Sequence, residues 1–141
     1  MNYQDNLLAL AAGDPDVRDA LRALEPECVM GEQRARILDF LKSHPKTILH
    51  GELPDELQSD ETYVKILLLQ TETRYGQWSS HDRYFEAVEL VKRLRKEHKQ
   101  KQKEQLEQAM RDAQQNGDTA RARELMSDIN ALIKEQRNNA R

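Results

Sequence analysis

The sequence is poor in several residues that define large protein classes. Among its 141 residues are one cysteine (Cys28), five glycines, two phenylalanines and one tryptophan. A lone cysteine cannot form an internal disulfide, which is typical of a reducing compartment and predicts a cytoplasmic protein. Five glycines exclude a collagen-like repeat. No apolar run reaches the roughly 18–20 residues that a membrane-spanning helix needs, and no apolar stretch with a basic lead predicts a signal peptide.

Charged residues are abundant and are divided unevenly along the chain. They make up 33% of the sequence, compared with about 25% in an average domain. Residues 1–91 contain 9 basic and 17 acidic residues, a net charge of −8, whereas residues 92–141 contain 13 and 8, a net charge of +5. Every aromatic residue lies at or before Phe85. The hydrophobic core is therefore expected in the first two thirds of the chain.

Four groups of apolar residues in the first part predict helices, because their members recur every three or four residues. Asp14 followed by Pro15 predicts the capped start of the second helix. Pro45 is expected to close the third, and Ser59 or Asp60 to cap the fourth, which is the most apolar stretch and is predicted to be the most buried. The groups are Tyr3, Leu7, Leu8, Leu10 and Ala11; Val17, Ala20, Leu21 and Leu24; Ile37, Leu38, Phe40 and Leu41; and Tyr63, Val64, Ile66, Leu67 and Leu68.

A long helix is predicted after Ser79, because neither proline nor glycine occurs from there to Gln115. A single helix of that length would extend about 50 Å. Its first half carries apolar residues as far as Leu94, but residues 96–104 contain none. We expect that basic segment to be exposed to solvent rather than packed on the bundle.

Asn116, Gly117 and Asp118 predict a helix stop, a turn and a new helix start. Glycine can adopt the left-handed conformation that closes a helix, and aspartate can cap the next one. Apolar residues at helical spacing on both sides predict two antiparallel helices. The predicted fold is all-α, with a bundle of about five helices in residues 1–95 and a long helix leading into a protruding C-terminal hairpin in residues 96–141.

The hairpin is the predicted site of interaction with another protein. Two helices alone are too small to form a core of their own, yet this pair keeps six large apolar side chains. Either the hairpin docks back on the bundle or a partner covers its open face, and the charged segment at residues 96–104 favours a partner. The predicted partner-binding residues are Leu106, Met110, Leu125, Ile129, Leu132 and Ile133.

No catalytic, cofactor or metal site is predicted. The four histidines lie outside metal-ligand spacing, and neither a glycine-rich phosphate loop nor a nucleophile motif occurs. Seven basic residues between Lys92 and Lys103 could contact nucleic acid. Glutamates interrupt this run and no aromatic residue offers a stacking surface, so a solvated helix face is the favoured interpretation and nucleic-acid binding is expected to be weak or absent.

Several short motifs occur in an order that resembles a known family domain. Leu7-Leu8-Ala9-Leu10 precedes Gly13-Asp14-Pro15, and Leu24-Glu25-Pro26-Glu27 precedes the third helix. The long basic helix then ends in Asn116-Gly117-Asp118, followed by the apolar segment from Leu125 to Ile133. Together these resemble the C-terminal, helicase-interacting domain of bacterial replicative primase (DnaG type), over nearly the whole chain.

The resemblance implies a non-catalytic domain of a DNA primase, which docks primase on the hexameric replicative helicase during DNA replication. In that family the hairpin contacts the N-terminal region of the helicase, and the bundle modulates helicase activity. The N-terminal domain of the helicase itself, also a helical bundle ending in a hairpin, remains an alternative, as does a nucleic-acid-binding adaptor. The hairpin could also exchange between chains and give a domain-swapped homodimer.

Overall fold

The computed structural model describes residues 2–139, and every regular element in that range is a helix. The predicted all-α bundle is confirmed. The chain divides into two compact units, with the boundary between Arg95 and Lys96. The α-helices are α1 (Tyr3–Gly13), α2 (Glu32–Ser43), α3 (Glu61–Tyr75), α4 (Ser80–Gln115) and α5 (Thr119–Asn139), and the 3-10 helices are Pro15–Ala23, Pro26–Cys28 and Asp55–Asp60.

The central helix of the first unit is α1. All its residues from Asp5 to Ala12 are buried, which is typical of a helix that neighbours surround on every side. The prediction that α3 would be the most buried helix is wrong, because Ile66 and Leu69 on α3 are exposed. Small alanine side chains among the leucines of α1 allow neighbouring segments to approach this helix closely on all sides. The buried residues of α3 lie along one side of the helix only.

The second predicted helix is wound as a 3-10 helix rather than an α-helix. Its start is as predicted: Pro15 is the first helical residue, and the Asp14 carboxylate accepts a hydrogen bond from the Asp16 backbone N–H at 3.0 Å. A 3-10 run of nine residues is uncommon, and here a tertiary contact holds it. The side chain of Arg18, within this run, is buried against the end of α1.

Arg18 fixes the 3-10 helix to α1 and to the loop after α2. Its guanidinium donates hydrogen bonds to the carbonyl oxygens of Ala11 (2.8 Å), Ala12 (3.2 Å) and His44 (2.8 Å), and to that of Thr47. Burial lowers the pKa of Arg18, although the Asp14 charge opposes this shift. A buried cation here is satisfied by backbone acceptors rather than by a contacting carboxylate.

The predicted cap of α3 is wrong in its chemistry. Asp60 does precede α3, but its carboxylate makes no capping hydrogen bond. It accepts hydrogen bonds from Arg36 at 2.7 and 3.0 Å and from Gln33 at 3.3 Å. The hydrogen bonds from Arg36 hold the pKa of this carboxyl below its ordinary value. Asp60 therefore links α2 to the start of α3.

The long helix α4 begins as predicted, with the Ser79 hydroxyl accepting from the Asp82 N–H at 3.1 Å. Its residues Ala87, Leu90, Val91 and Leu94 are buried in the core of the first unit. That core contains buried side chains from Leu7 to Leu94. None of residues 96–104 is buried, but His98, Lys99 and Lys103 are half-buried, so the predicted solvent exposure holds for only part of this charged stretch.

Candidate interaction surfaces

The turn of the hairpin follows the sequence prediction closely. Gly117 has φ +73°, the left-handed conformation, and the Asp118 N–H donates to the Ala113 carbonyl at 2.8 Å. The Asp118 carboxylate accepts from the Arg121 N–H at 3.0 Å and so caps α5. At the other end of the pair, Lys99 on α4 forms an ion pair with Glu135 on α5 at 3.2 Å.

Two of the six predicted partner-binding residues are buried within the protein. Leu125 is 1% exposed and Ile129 is 5% exposed, and they lie one turn apart on the same face of α5. On the α4 side of the second unit, Ala113 is buried as well. We assign these three residues to the interior of the hairpin, so Leu125 and Ile129 position the hairpin helices instead of offering contact surface.

The other four predicted residues are half-buried: Leu106, Met110, Leu132 and Ile133. Of these, Met110 lines a groove of about 340 Å³ beside the hairpin turn. Met126 borders the same groove and is 44% exposed. Met126 is not among the partner-binding residues predicted from the sequence. Its exposure could have been expected from its position directly after Leu125, because successive residues of a helix point about 100° apart.

A second groove, of about 460 Å³, lies on the first unit at the start of α4. It is bordered by the exposed rings of Trp78 and Phe85. Trp78 packs edge-on against the buried Tyr75, with ring centroids 4.9 Å apart. Trp78 therefore has one contact with a buried ring and is otherwise partly open to solvent. The same groove is lined by three carboxylates, from Asp82, Glu86 and Glu89.

A larger groove, of about 900 Å³, lies on the first unit between the loop after α2 and α3. Leu49, Leu53 and Leu68 supply its apolar surface. Most of its charges are already paired: Lys65 contacts Glu61, and Arg83 donates to Asp14 at 3.0 Å and to the Tyr75 carbonyl at 3.0 Å. These charged side chains therefore bind to other groups of the chain itself, and few of them are left to bind a charged ligand.

Three titratable groups whose pKa values are shifted, Asp5, Arg34 and Tyr63, form an internal network. Asp5 accepts hydrogen bonds from Arg34 at 2.9 and 3.1 Å and from the Tyr63 hydroxyl. Burial opposes ionisation of Asp5, but the hydrogen bonds from Arg34 and Tyr63 outweigh it and lower its pKa. Burial, together with Asp5, raises the pKa of Tyr63. The three residues lie on α1, α2 and α3, so their hydrogen bonds join these helices. None of them lines a groove described above, so we assign the network a structural role.

The basic run on α4 is partly neutralised by the chain itself. Lys92 pairs with Glu89 at 3.4 Å, Lys103 with Glu107 at 3.9 Å, and Lys99 with Glu135 as described above. These pairs reduce the charge available to phosphates. Across residues 2–139 there is no group of three or more ligating side chains able to hold a metal ion, nor a helix with the length and apolarity needed to span a bilayer.

Comparison of the chain with protein-family models, curated proteins and solved structures found no match.

Proposed function

We propose that this chain is the helicase-interaction domain of a bacterial replicative primase, a non-catalytic cytoplasmic module that docks primase on the hexameric replicative helicase. One observation supports the proposal above the others. The chain divides between Arg95 and Lys96 into a helical bundle and a two-helix unit, and the two-helix unit has apolar surface left open beside its turn. A bundle and a hairpin in this order are what the resemblance to the primase domain implies.

The open surface fits a protein partner better than a small molecule. The groove beside the turn is bordered by Met110 and Met126, and methionine is common at surfaces that adapt to protein partners. Further along α5, Leu132 and Ile133 keep part of their surface exposed. A helix from the N-terminal region of the helicase would cover these side chains and remove apolar area from water.

The test is a calorimetric titration of the chain with the N-terminal region of the replicative helicase from the same organism. Met126→Asp should weaken binding at least about tenfold, a loss of about 1.4 kcal/mol, because it places a charge in an apolar contact. The matched control is Ser127→Asp on the next residue, which is exposed and points about 100° further around the helix. We expect this control to bind like the unmodified chain.

Two results would contradict the proposal. One is equal affinity of Met126→Asp and the unmodified chain, with circular dichroism showing that both are folded. The other is full helicase binding by a chain truncated after Arg95. Binding of the intact chain to primase, but not to the helicase, would instead assign it as the N-terminal domain of a helicase.

A further inference from the structure

We propose that the acidic aromatic groove at the start of α4 binds the hairpin turn of a second copy of this chain. We define the acidic aromatic groove by Trp78, Asp82, Phe85, Glu86 and Glu89. The part of the turn that it would receive is the rim of the methionine groove, where Met126 and Arg123 are exposed; we define the methionine groove by Met110, Met126 and Arg123. The association does not involve the helicase, so it stands or falls independently of the proposed function.

The acidic aromatic groove has two kinds of group that are available to a ligand: exposed aromatic rings and carboxylates without an ion-pair partner. Trp78 is 39% and Phe85 is 55% exposed, although the Phe85 ring also meets the His81 ring edge-on, with centroids 4.6 Å apart. Asp82 and Glu86 form no ion pair within the described residues, whereas Glu89 pairs with Lys92 across α4. The groove therefore offers two ring surfaces next to carboxylates and favours an apolar ligand that carries positive charge.

The methionine groove has the complementary composition. Met126 is the most exposed large apolar side chain of the second unit. Arg123, also exposed, lines the groove and forms no ion pair within residues 2–139. Its neighbour Arg121 is held by Glu124 at 3.2 Å, so Arg123 is the arginine of this segment that is available to a carboxylate.

The two surfaces fit each other chemically. A methionine thioether packs favourably against an aromatic ring, and a guanidinium can bind a carboxylate through two hydrogen bonds. The charges of the two units act in the same direction, because residues 1–95 contain 12 basic and 17 acidic residues, a net charge of −5, and residues 96–141 contain 10 and 8, a net charge of +2. Opposite net charges attract the first unit of one copy to the second unit of the next. Both grooves are small, so the complex is weak and exchanges rapidly.

The contact would regulate the hairpin, because it covers Met126. A copy whose turn lies in the groove of a neighbour cannot offer the same surface to another protein. Dilution or a tighter partner would release it.

The first experiment measures association of the chain alone. Sedimentation velocity from micromolar to near-millimolar concentration should show a rising average sedimentation coefficient at low salt, and the rise should be suppressed at about 500 mM NaCl because the charges are screened. Trp78 is the single tryptophan, so its fluorescence should change over the same concentration range. A constant sedimentation coefficient, or association without any change in Trp78 emission, would overturn the proposal.

The second experiment exchanges the charges. Glu86→Arg and Arg123→Glu should each weaken self-association about tenfold, and an equimolar mixture of the two variants should associate again, because each supplies the charge that the other has lost. Glu56→Arg, at an exposed position of the first unit outside the groove, is the matched control and should associate normally. Circular dichroism checks that each variant is folded. Normal association of either single variant, or no recovery in the mixture, would contradict the proposed contact.

Discussion

At the scale of single residues, the fold depends on polar groups that are buried and satisfied. Arg18 is 2% exposed and donates to four backbone carbonyl oxygens from two separate segments. Those carbonyls lie at the end of α1 and in the loop after α2, where helix hydrogen bonds no longer satisfy them. The Arg18 side chain therefore supplies hydrogen-bond donors to carbonyl oxygens in both segments.

Replacing Arg18 with methionine should destabilise the protein by at least about 2 kcal/mol, because it leaves buried acceptors without donors. Urea denaturation followed by circular dichroism measures this loss. Arg22→Met, four residues later in the same 3-10 helix, is the matched control. Its side chain is 84% exposed, so we expect a change of no more than about 0.5 kcal/mol. Equal stability of the two variants would show that Arg18 does not hold the loop.

At the scale of elements, ion pairs join helices that lie far apart in the sequence. Asp60 connects the start of α3 to Arg36 on α2, and Asp5 connects α1 to Arg34 on α2 and to Tyr63 on α3. Each carboxylate lies at or near a helix start. The sequence suggested a local capping role for Asp60, and the structure uses its carboxylate in a contact between helices.

The contact between α2 and α3 should make stability depend on pH. The pKa of Asp60 is lowered in the folded state by its hydrogen bonds with Arg36. Its ionised form therefore stabilises the protein above the ordinary aspartate pKa of about 4. This contribution is lost as the pH falls through the lower folded-state pKa.

Asp60→Asn tests this dependence. The difference in free energy of unfolding between the unmodified chain and Asp60→Asn should be constant near neutral pH and should shrink below about pH 4. Urea denaturation at a series of pH values measures it. Asp39→Asn, at an exposed position of α2, serves as the control and should follow the unmodified chain throughout. A difference that stays the same down to low pH would exclude the proposed role of the Asp60 carboxylate.

At the scale of the whole molecule, the two units differ greatly in the core that each contains. The first has a cluster of buried apolar residues that begins at Leu7 and ends at Leu94. In the second, the buried apolar residues within the described range are Ala113, Leu125 and Ile129. Packing, rather than helix propensity, supplies most of the stability of helices in water.

A chain truncated after Arg95 should therefore keep a cooperative thermal transition, whereas residues 96–141 alone should unfold broadly and at lower temperature. Circular dichroism melting of the two fragments gives the comparison. A cooperative melt of the isolated second fragment at or above the Tm of the first would show that the hairpin does not depend on additional contacts for its stability.

Features that depend on local chemistry could be predicted from the order of the residues alone. Proline at a first helical position, a capping serine or aspartate and a left-handed glycine each act within a few residues. Asp14, Gly117 and Asp118 therefore take the roles that their local sequence predicts. The recurrence of apolar residues every three or four positions likewise predicted that the fold is all-α.

Which side of each helix is covered depends on contacts between segments that lie far apart in the sequence, and it became visible in the folded chain. The spacing of apolar residues defines the apolar face of a helix. It does not show how much of that face other segments of the chain cover. The apolar residues of α3 thus divide into buried Leu67 and exposed Leu69, and those of α5 into buried Leu125 and exposed Met126. Arg18 followed the same rule, because its burial depends on carbonyls from a loop that begins 26 residues later. Burial is a property of neighbours distant in sequence, and local pattern carries no information about them.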